Sequence, residues 1–255
     1  MFFSIIIPVY NRPDEVDELL QSLCEQPHNQ FEVIIVEDGS SRDSREEVDK
    51  YRDRLSIRYH EKTNSGPGLS RNAGAALASH GYLIFFDSDC IIPPAYLENV
   101  SLFLDGHHVD VYGGPDAALP TFTTVQKAIN YAMTSFFTTG GIRGRKRSMD
   151  TFLPRGFNMG VSREAFETVG GYRKMRFGED IDLSLRLISA GYPTALIPDA
   201  HVYHKRRTNY RQFFKQVYNF GIARINLFLL HPDSLKAVHL LPGVFVIGMA
   251  ITLLL

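Results

Sequence analysis

Asp87-Ser88-Asp89 closes the apolar run 82–86, which reads as a buried strand. Residues two apart on a strand point the same way, so both carboxylates can face one pocket. Two hard oxygen donors suit Mg²⁺ or Mn²⁺ rather than Zn²⁺, and such an ion keeps positions open for substrate phosphate oxygens. The plainer alternative is a polar turn whose aspartates cap the helix near Pro93-Pro94. A second acidic cluster, Glu37-Asp38-Gly39-Ser40, follows the apolar run 31–36. A carboxylate there can accept the imide N–H of a uracil or the N–H groups of a guanine; as a turn, Asp-Gly-Ser is ordinary. Glu179-Asp180 opens a later helical pattern, where Asp180 can act as general base toward a hydroxyl or simply complement the helix dipole.

Two further segments can meet phosphate. Asn64 to Asn72 sets Gly66, Gly68 and Arg71 at a helix entrance, where backbone N–H groups, the dipole and a guanidinium favour phosphate or a nucleobase edge. It is neither GxxxxGK[ST] nor GxGxxG, which removes the usual support for ATPase and dehydrogenase readings. His204, followed by Lys205-Arg206-Arg207, offers a further metal ligand or diphosphate donor. The same basic triplet also suits a patch drawn to anionic lipid.

The elements that must position these groups alternate. Strand patterns at 5–10, 31–36, 55–59 and 82–86 are separated by helical patterns at 14–24, 44–51 and 68–79. Such alternation predicts βαβ units, a mostly parallel sheet and ligand binding outside the carboxyl ends of its strands. Tyr10-Asn11, Glu37-Asp38 and Asp87-Ser88-Asp89 all fall at such ends. Later, 163–169 and 180–190 read as helices, the second with Ile181, Leu185 and Ile188 toward the core and Asp182–Arg186 as an i,i+4 pair. Gly140 to Lys146 (GGIRGRK) is a candidate mobile loop.

With 27 Lys and Arg against 28 Asp and Glu, the charge balance argues against a general nucleic-acid binder. Cys24 and Cys90 form no CxxC and read as reduced, buried thiols of a cytosolic protein. Phe3-Ser4-Ile5-Ile6-Ile7 lacks a basic leader and a cleavage site, so a strand is expected there rather than a secretion signal. Residues 209–230 fit an amphipathic helix on a membrane surface, and 238–255 the start of a membrane-spanning segment, which needs about 20 apolar residues. The expected division is a catalytic domain over 1–207 and a juxtamembrane and membrane part over 208–255.

In order and spacing, SIIIPVYNR, VIIVEDGSSRD, GLSRNAGAALASHGYLIFFDSD, GFNMGVSREAFETVGGY and FGEDIDLSLRLISAGY together resemble the family 2 glycosyltransferases of the GT-A fold, of the membrane-associated bacterial type. The resemblance covers roughly residues 3–207. It implies an α/β, Rossmann-like fold, a divalent cation (Mg²⁺ or Mn²⁺) and inverting sugar transfer from a nucleotide-sugar donor. It also implies that Pro8, Tyr10, Glu37, Asp38 and Arg71 line the nucleobase pocket, with Asn11 and Ser88 joining the donor contacts. Asp87 would serve the ribose or the metal, Asp89 the metal with His204, and Asp180 would be the base with Glu179 beside it. Gly156, Phe157 and Asn158 would shape the donor-sugar and acceptor region. The family often has Asp where this chain has Glu37, which leaves the donor base open between UDP, favoured, and GDP. With no Trp, the chain has no Gln-x-x-Arg-Trp signature, so transfer of a single sugar is expected. The acceptor is expected to be lipid-linked or a surface glycan, at the cytoplasmic face of the inner membrane. A sugar-phosphate nucleotidyltransferase and a non-catalytic membrane scaffold are the competing readings.

Overall fold

A computed structural model describes residues 1–135 and 152–254. The candidate loop at Gly140 to Lys146 therefore lies outside the described residues. Three parallel strands begin the chain: β1 (Phe3–Val9), β2 (Phe31–Asp38) and β3 (Ile57–Lys62). Between them lie helices α1 (Pro13–Leu23) and α2 (Arg45–Asp49). Helix α3 (Pro67–Leu77) leads to β4 (Tyr82–Phe86), which pairs with β1 in parallel. The chain continues through β5 (Cys90–Ile91), α4 (Tyr96–Gly106), β6 (Val111–Gly113), β7 (Asp116–Ala117) and α5 (Thr124–Thr134). After 152 come β8 (Asn158–Ser162), α6 (Arg163–Thr168), α7 (Glu179–Ser189), β9 (Thr194–Leu196), β10 (Val202–His204), α8 (Tyr210–Leu230) and α9 (Leu241–Leu254).

The main sheet has seven strands in the order β3-β2-β1-β4-β8-β6-β9, and a second sheet has the order β5-β10-β7. In the main sheet only β8 runs against its neighbours β4 and β6, so the expectation of a mostly parallel α/β sheet holds. Helices cover both faces because the central strands are apolar on both sides. On one face Ile5 and Ile7 pack with Leu19 and Leu20 of α1 and with Tyr96 and Val100 of α4. On the other, Ile6, Ile34 and Phe85 pack with Ala75 of α3, Phe166 of α6 and Leu183 and Leu187 of α7. Helix α3 lies so close that a Cβ on Gly74 would stand 2.4 Å from Ile6 Cγ2. The alanine- and glycine-rich sequence of α3 is what permits this approach.

Several expectations need correction. The third strand starts two residues later than its apolar pattern suggests, because its register is set by backbone pairing with β2 out to Asp38↔Lys62. Helix α7 buries Ile181, Asp182, Leu183, Ser184 and Leu187, while Leu185 and Ile188 are only half-buried. Its buried stripe thus contains a carboxylate, which the apolar spacing could not reveal. Gly191 closes the helix with φ +85°, in the left-handed position after its last turn. Cys90 is buried but Cys24 only partly so; both are free thiols. Of the apolar run, residues 238–254 fold as the end of a short 3₁₀ turn and the 14-residue α9. No helix among the described residues is long and apolar enough to cross a membrane.

Candidate active site

Beyond the carboxyl ends of β1, β2 and β4 the chain makes three tight turns, and their side chains hold one another. Asn11 sits at φ +55°, and its Oδ1 accepts from the N–H groups of Ser41 and Arg42 at 2.8 and 3.0 Å. This ties the loop after β1 to the loop after β2. Pro8 is half-buried and Tyr10 is 52% exposed beside them, so the tyrosine ring is free to meet a ligand.

Glu37 and Asp38 stand at the expected strand end but are engaged internally. Glu37 accepts from Ser40 Oγ, from Ser44 N–H at 3.2 Å and Oγ at 2.7 Å, and from Tyr59 at 3.3 Å. Its longer arm thereby organises the turn into α2. Asp38 pairs with Lys62 and accepts from the N–H groups of Ser65 and Gly66 at 2.9 and 2.8 Å, at the entrance of α3. Burial would raise its pKa, but Lys62 and these two N–H groups outweigh that and hold it below the usual carboxylate range.

Arg71, on α3, is the hub of the site. It is 3% exposed and lies 5.2 Å over the ring of Tyr172. One guanidinium nitrogen donates to Asp87 at 2.5 Å and the other to Glu179 at 3.1 Å. The chain crosses this group at Gly156, where a Cβ would stand 3.0 Å from Arg71 Nη2. Arg71 thus lies between the β4 end and the α7 start. Burial opposes its charge, yet Asp87, Glu179 and Asp180 around it hold it protonated. Gly178, at φ +84°, turns the chain into α7 and delivers the acidic pair there. Glu179 is raised above the usual range by burial and by the charge of Asp180, against the pull of Arg71. Asp180 Oδ2 accepts from Gly156 N–H at 3.3 Å.

Asp87 and Asp89 do not share a face by strand alternation. Strand β4 ends at Phe86, and Cys90 N–H donates to Asp87 O at 3.1 Å across a turn that carries Ser88, itself buried. Asp89 lies instead against the small second sheet. Its Oδ1 is 3.1 Å from Nε2 of His204 on β10, and its Oδ2 is 3.1 Å from Arg12. Burial would raise Asp89, but the charges of His204, Arg12 and Arg207 overcome it and hold the group well below the usual range. Asp116, on β7, stands 4.0 Å behind His204 Nδ1 and pairs with Arg206 at 2.6 Å.

This corner fits a divalent cation. Asp89, Cys90 and His204 bring ligating atoms within 4.8 Å of one another. Asp89 Oδ1 and His204 Nδ1 are buried without a hydrogen-bond partner among the described residues, which is costly unless something else engages them. The 3.1 Å approach of Asp89 Oδ1 is to the other ring nitrogen, Nε2, and those two atoms are the pair placed to converge on an ion, while Nδ1 faces Asp116. The Cys90 thiol, raised by burial and by the charges of Asp89 and Asp87, points to Phe157 O at 3.5 Å. Of these donors the carboxylate is the one that suits Mn²⁺ or Mg²⁺, and Asp87 is not in this group.

Two further corrections follow. Asn158 is fully buried, with Oδ1 accepting from Tyr96 at 2.5 Å and Nδ2 donating to Ala200 O at 2.8 Å. It holds the wall from behind, whereas Phe157, stacked on His204 at 4.8 Å, is its neighbour toward the metal corner. Arg12 and Asp116 were not expected from sequence. Arg12 sits in the loop after β1, where its type is the signal, while nothing near Asp116 in sequence marks it.

A family model described as Glycosyl transferase family 2 matches residues 4–170. The chain belongs to this family, as its motifs suggest. It is 40% identical over 115 residues to the poly(ribitol-phosphate) β-N-acetylglucosaminyltransferase TarS of Staphylococcus aureus, which is 44% of this chain but only 20% of TarS. Glycosyltransferase AglE of Haloferax volcanii is 26% identical over 254 residues, 97% of this chain and 81% of AglE. The crystal structure of S. aureus TarS 1–349 is similar with a TM-score of 0.63 and 25% identity, covering 80% of this chain and 60% of that one. The mannosyltransferase PcManGT from Pyrobaculum calidifontis, in complex with GDP-Man and Mn²⁺, shares the fold at 18% identity, with a TM-score of 0.69 over 92% of this chain and 65% of that one.

Proposed function

We propose that the chain transfers a single sugar, with inversion, from a nucleotide-sugar donor to a hydroxyl of a lipid-linked or surface-glycan acceptor. The observation that carries this reading is the placement of Arg71, which joins Asp87 on the donor side to Glu179-Asp180 on the acceptor side. A donor seated over the β1, β2 and β4 ends would meet Tyr10 and the free face of Asp87. A cation held by Asp89 and His204 would neutralise the diphosphate of a leaving nucleotide. Asp180 takes the proton of the attacking hydroxyl, and attack from the face opposite the nucleotide gives inversion. Arg71 keeps Asp87 and Glu179 apart in charge and fixed in place, so the acceptor end needs little rearrangement.

A UDP-sugar is the first donor to test, because TarS has been crystallised with UDP-GlcNAc. Glu37 and Asp38 would read the base only by sharing or exchanging donors they now hold. The membrane enters through α8, where Tyr210, Phe214 and Tyr218 are exposed beside Arg211 and Lys215, a pairing suited to an anionic lipid interface. This supports a site of action at the cytoplasmic face of the inner membrane. Hydrolysis of UDP-GlcNAc, other UDP-sugars and GDP-mannose with Mn²⁺ tests the donor; release of UDP alone is expected. Turnover of none of these, together with pyrophosphate release from an NTP and a sugar phosphate, would overturn it.

A further inference from the structure

Helix α8 lies beyond the residues that the family model matches, and most of its surface is open: Phe214 and Leu229 are 74% and 73% exposed. Yet it is joined to the body by a narrow seam that lands on the catalytic helix. Ala223 and Leu227 are its buried residues. A Cβ on Gly178 would stand 3.2 Å from Leu227 Cδ1 and 3.4 Å from Ala223 Cβ. Gly178 is thus required twice, for its left-handed backbone and for the closeness of α8. It immediately precedes Glu179.

At the end of the same helix, His231 reaches Asp182 with Nε2 2.8 Å from Oδ1. Asp182 is wholly buried on the first turn of α7. It also accepts from Arg173 at 3.1 Å and from Arg186 at 2.9 Å. Arg186 carries the connection onward, donating to Val169 O at 2.6 Å and Gly171 O at 2.7 Å. The next residue, Tyr172, is clamped by Asn72 through two 2.8 Å hydrogen bonds and lies under the Arg71 guanidinium. The carboxylate pair is therefore held from two sides, by Arg71 in front and by the α8 seam behind.

We infer that His231 is a positioning residue for Glu179-Asp180: through Asp182, and with Leu227 seated on Gly178, it fixes the first turn of α7 against Arg71. This rests on the reading of Asp180 as the base, but it makes a structural claim that can be tested without any substrate. In the full chain, hydrogen exchange of the amides of 181–185 should accelerate in His231→Ala and in Leu227→Ala. In His231→Gln, which keeps an N–H for Asp182, protection should return, and exchange in β1 and β4 should be unchanged throughout. Mn²⁺-dependent hydrolysis of UDP-GlcNAc is the second readout. In His231→Ala its kcat should fall about tenfold and in His231→Gln recover to within about threefold of wild type, since misplacement of even 1 Å is costly to catalysis. Affinity for UDP with Mn²⁺, measured by calorimetry, should stay within about twofold, because the seam reaches the donor end only indirectly, through Tyr172 and Arg71. Unchanged exchange at 181–185 in His231→Ala would overturn the inference, as would loss of UDP affinity in step with kcat and no rescue by Gln. If wild type neither binds UDP nor turns over, the donor reading fails, and the exchange result alone decides the role of His231.

Discussion

Asp89, buried, and Glu179, half-buried, are both carboxylates touched by a guanidinium, and they are driven in opposite directions. Burial raises both. Asp89 then has the imidazole of His204 and the guanidinium groups of Arg12 and Arg207 around it and is held ionised. Glu179 has Asp180 next to it and must share Arg71 with Asp87, so burial and repulsion win and its pKa rises. The difference separates two tasks that one residue type can perform. A carboxylate held ionised with one oxygen left short of hydrogen bonds is available to a cation, whereas one beside a second carboxylate is prepared to share a proton. The fold keeps the two apart by placing Asp89 against a small three-stranded sheet and Glu179 at a helix start, with Arg71 between.

The comparison breaks most sharply at the acceptor end. Asp180→Asn should lower turnover about 10²- to 10⁴-fold, the range for losing a positioned base, while calorimetry shows UDP binding with Mn²⁺ unchanged. Near-normal turnover would remove Asp180 from the chemistry. At the metal corner the equivalent test lies behind the ligands. Asp116→Asn leaves Asp89 and His204 in place but takes charge from behind the imidazole. The Mn²⁺ concentration for half-activation should then rise about 10- to 100-fold with little change in kcat at saturating metal. An unaltered metal requirement would make Asp116 a partner of Arg206 and nothing more.

These tests also mark what could be read from sequence. The ends of β1, β2 and β4 were legible because each strand is a continuous apolar run that stops at a polar cluster, and a parallel sheet gathers such stops on one edge. The motifs around Arg71 and Glu179-Asp180 were legible by resemblance, but not the contact between them, which spans 108 positions in sequence. Asp116 was invisible because its sheet is built of Cys90–Ile91, Asp116–Ala117 and Val202–His204, too short to carry an alternating pattern. Asp182 was legible only as an i,i+4 partner of Arg186. The pair does form, but Arg173 and His231 join it, and three cationic or polar partners make burial of the carboxylate tolerable.

The smallest effect, and the one that sharpens the comparison furthest, is the pH dependence of stability. Asp89 has a depressed pKa in the folded chain, so the stability it contributes is present above the unfolded value of about 3.9 and is lost as pH falls toward the folded value. Glu179 has a raised pKa, so its contribution is present below the unfolded value of about 4.3 and is lost as pH rises through the folded value. Measured without divalent metal, Asp89→Asn should therefore flatten the acid side of the Tm profile. Glu179→Gln should flatten the decline that begins above the ordinary glutamate range and leave the acid side as it was. If both variants changed the same limb, the two carboxylates would not be opposites, and Arg71 would be balancing Asp87, Glu179 and Asp180 as one pool of charge instead of dividing a metal corner from a proton-transfer corner.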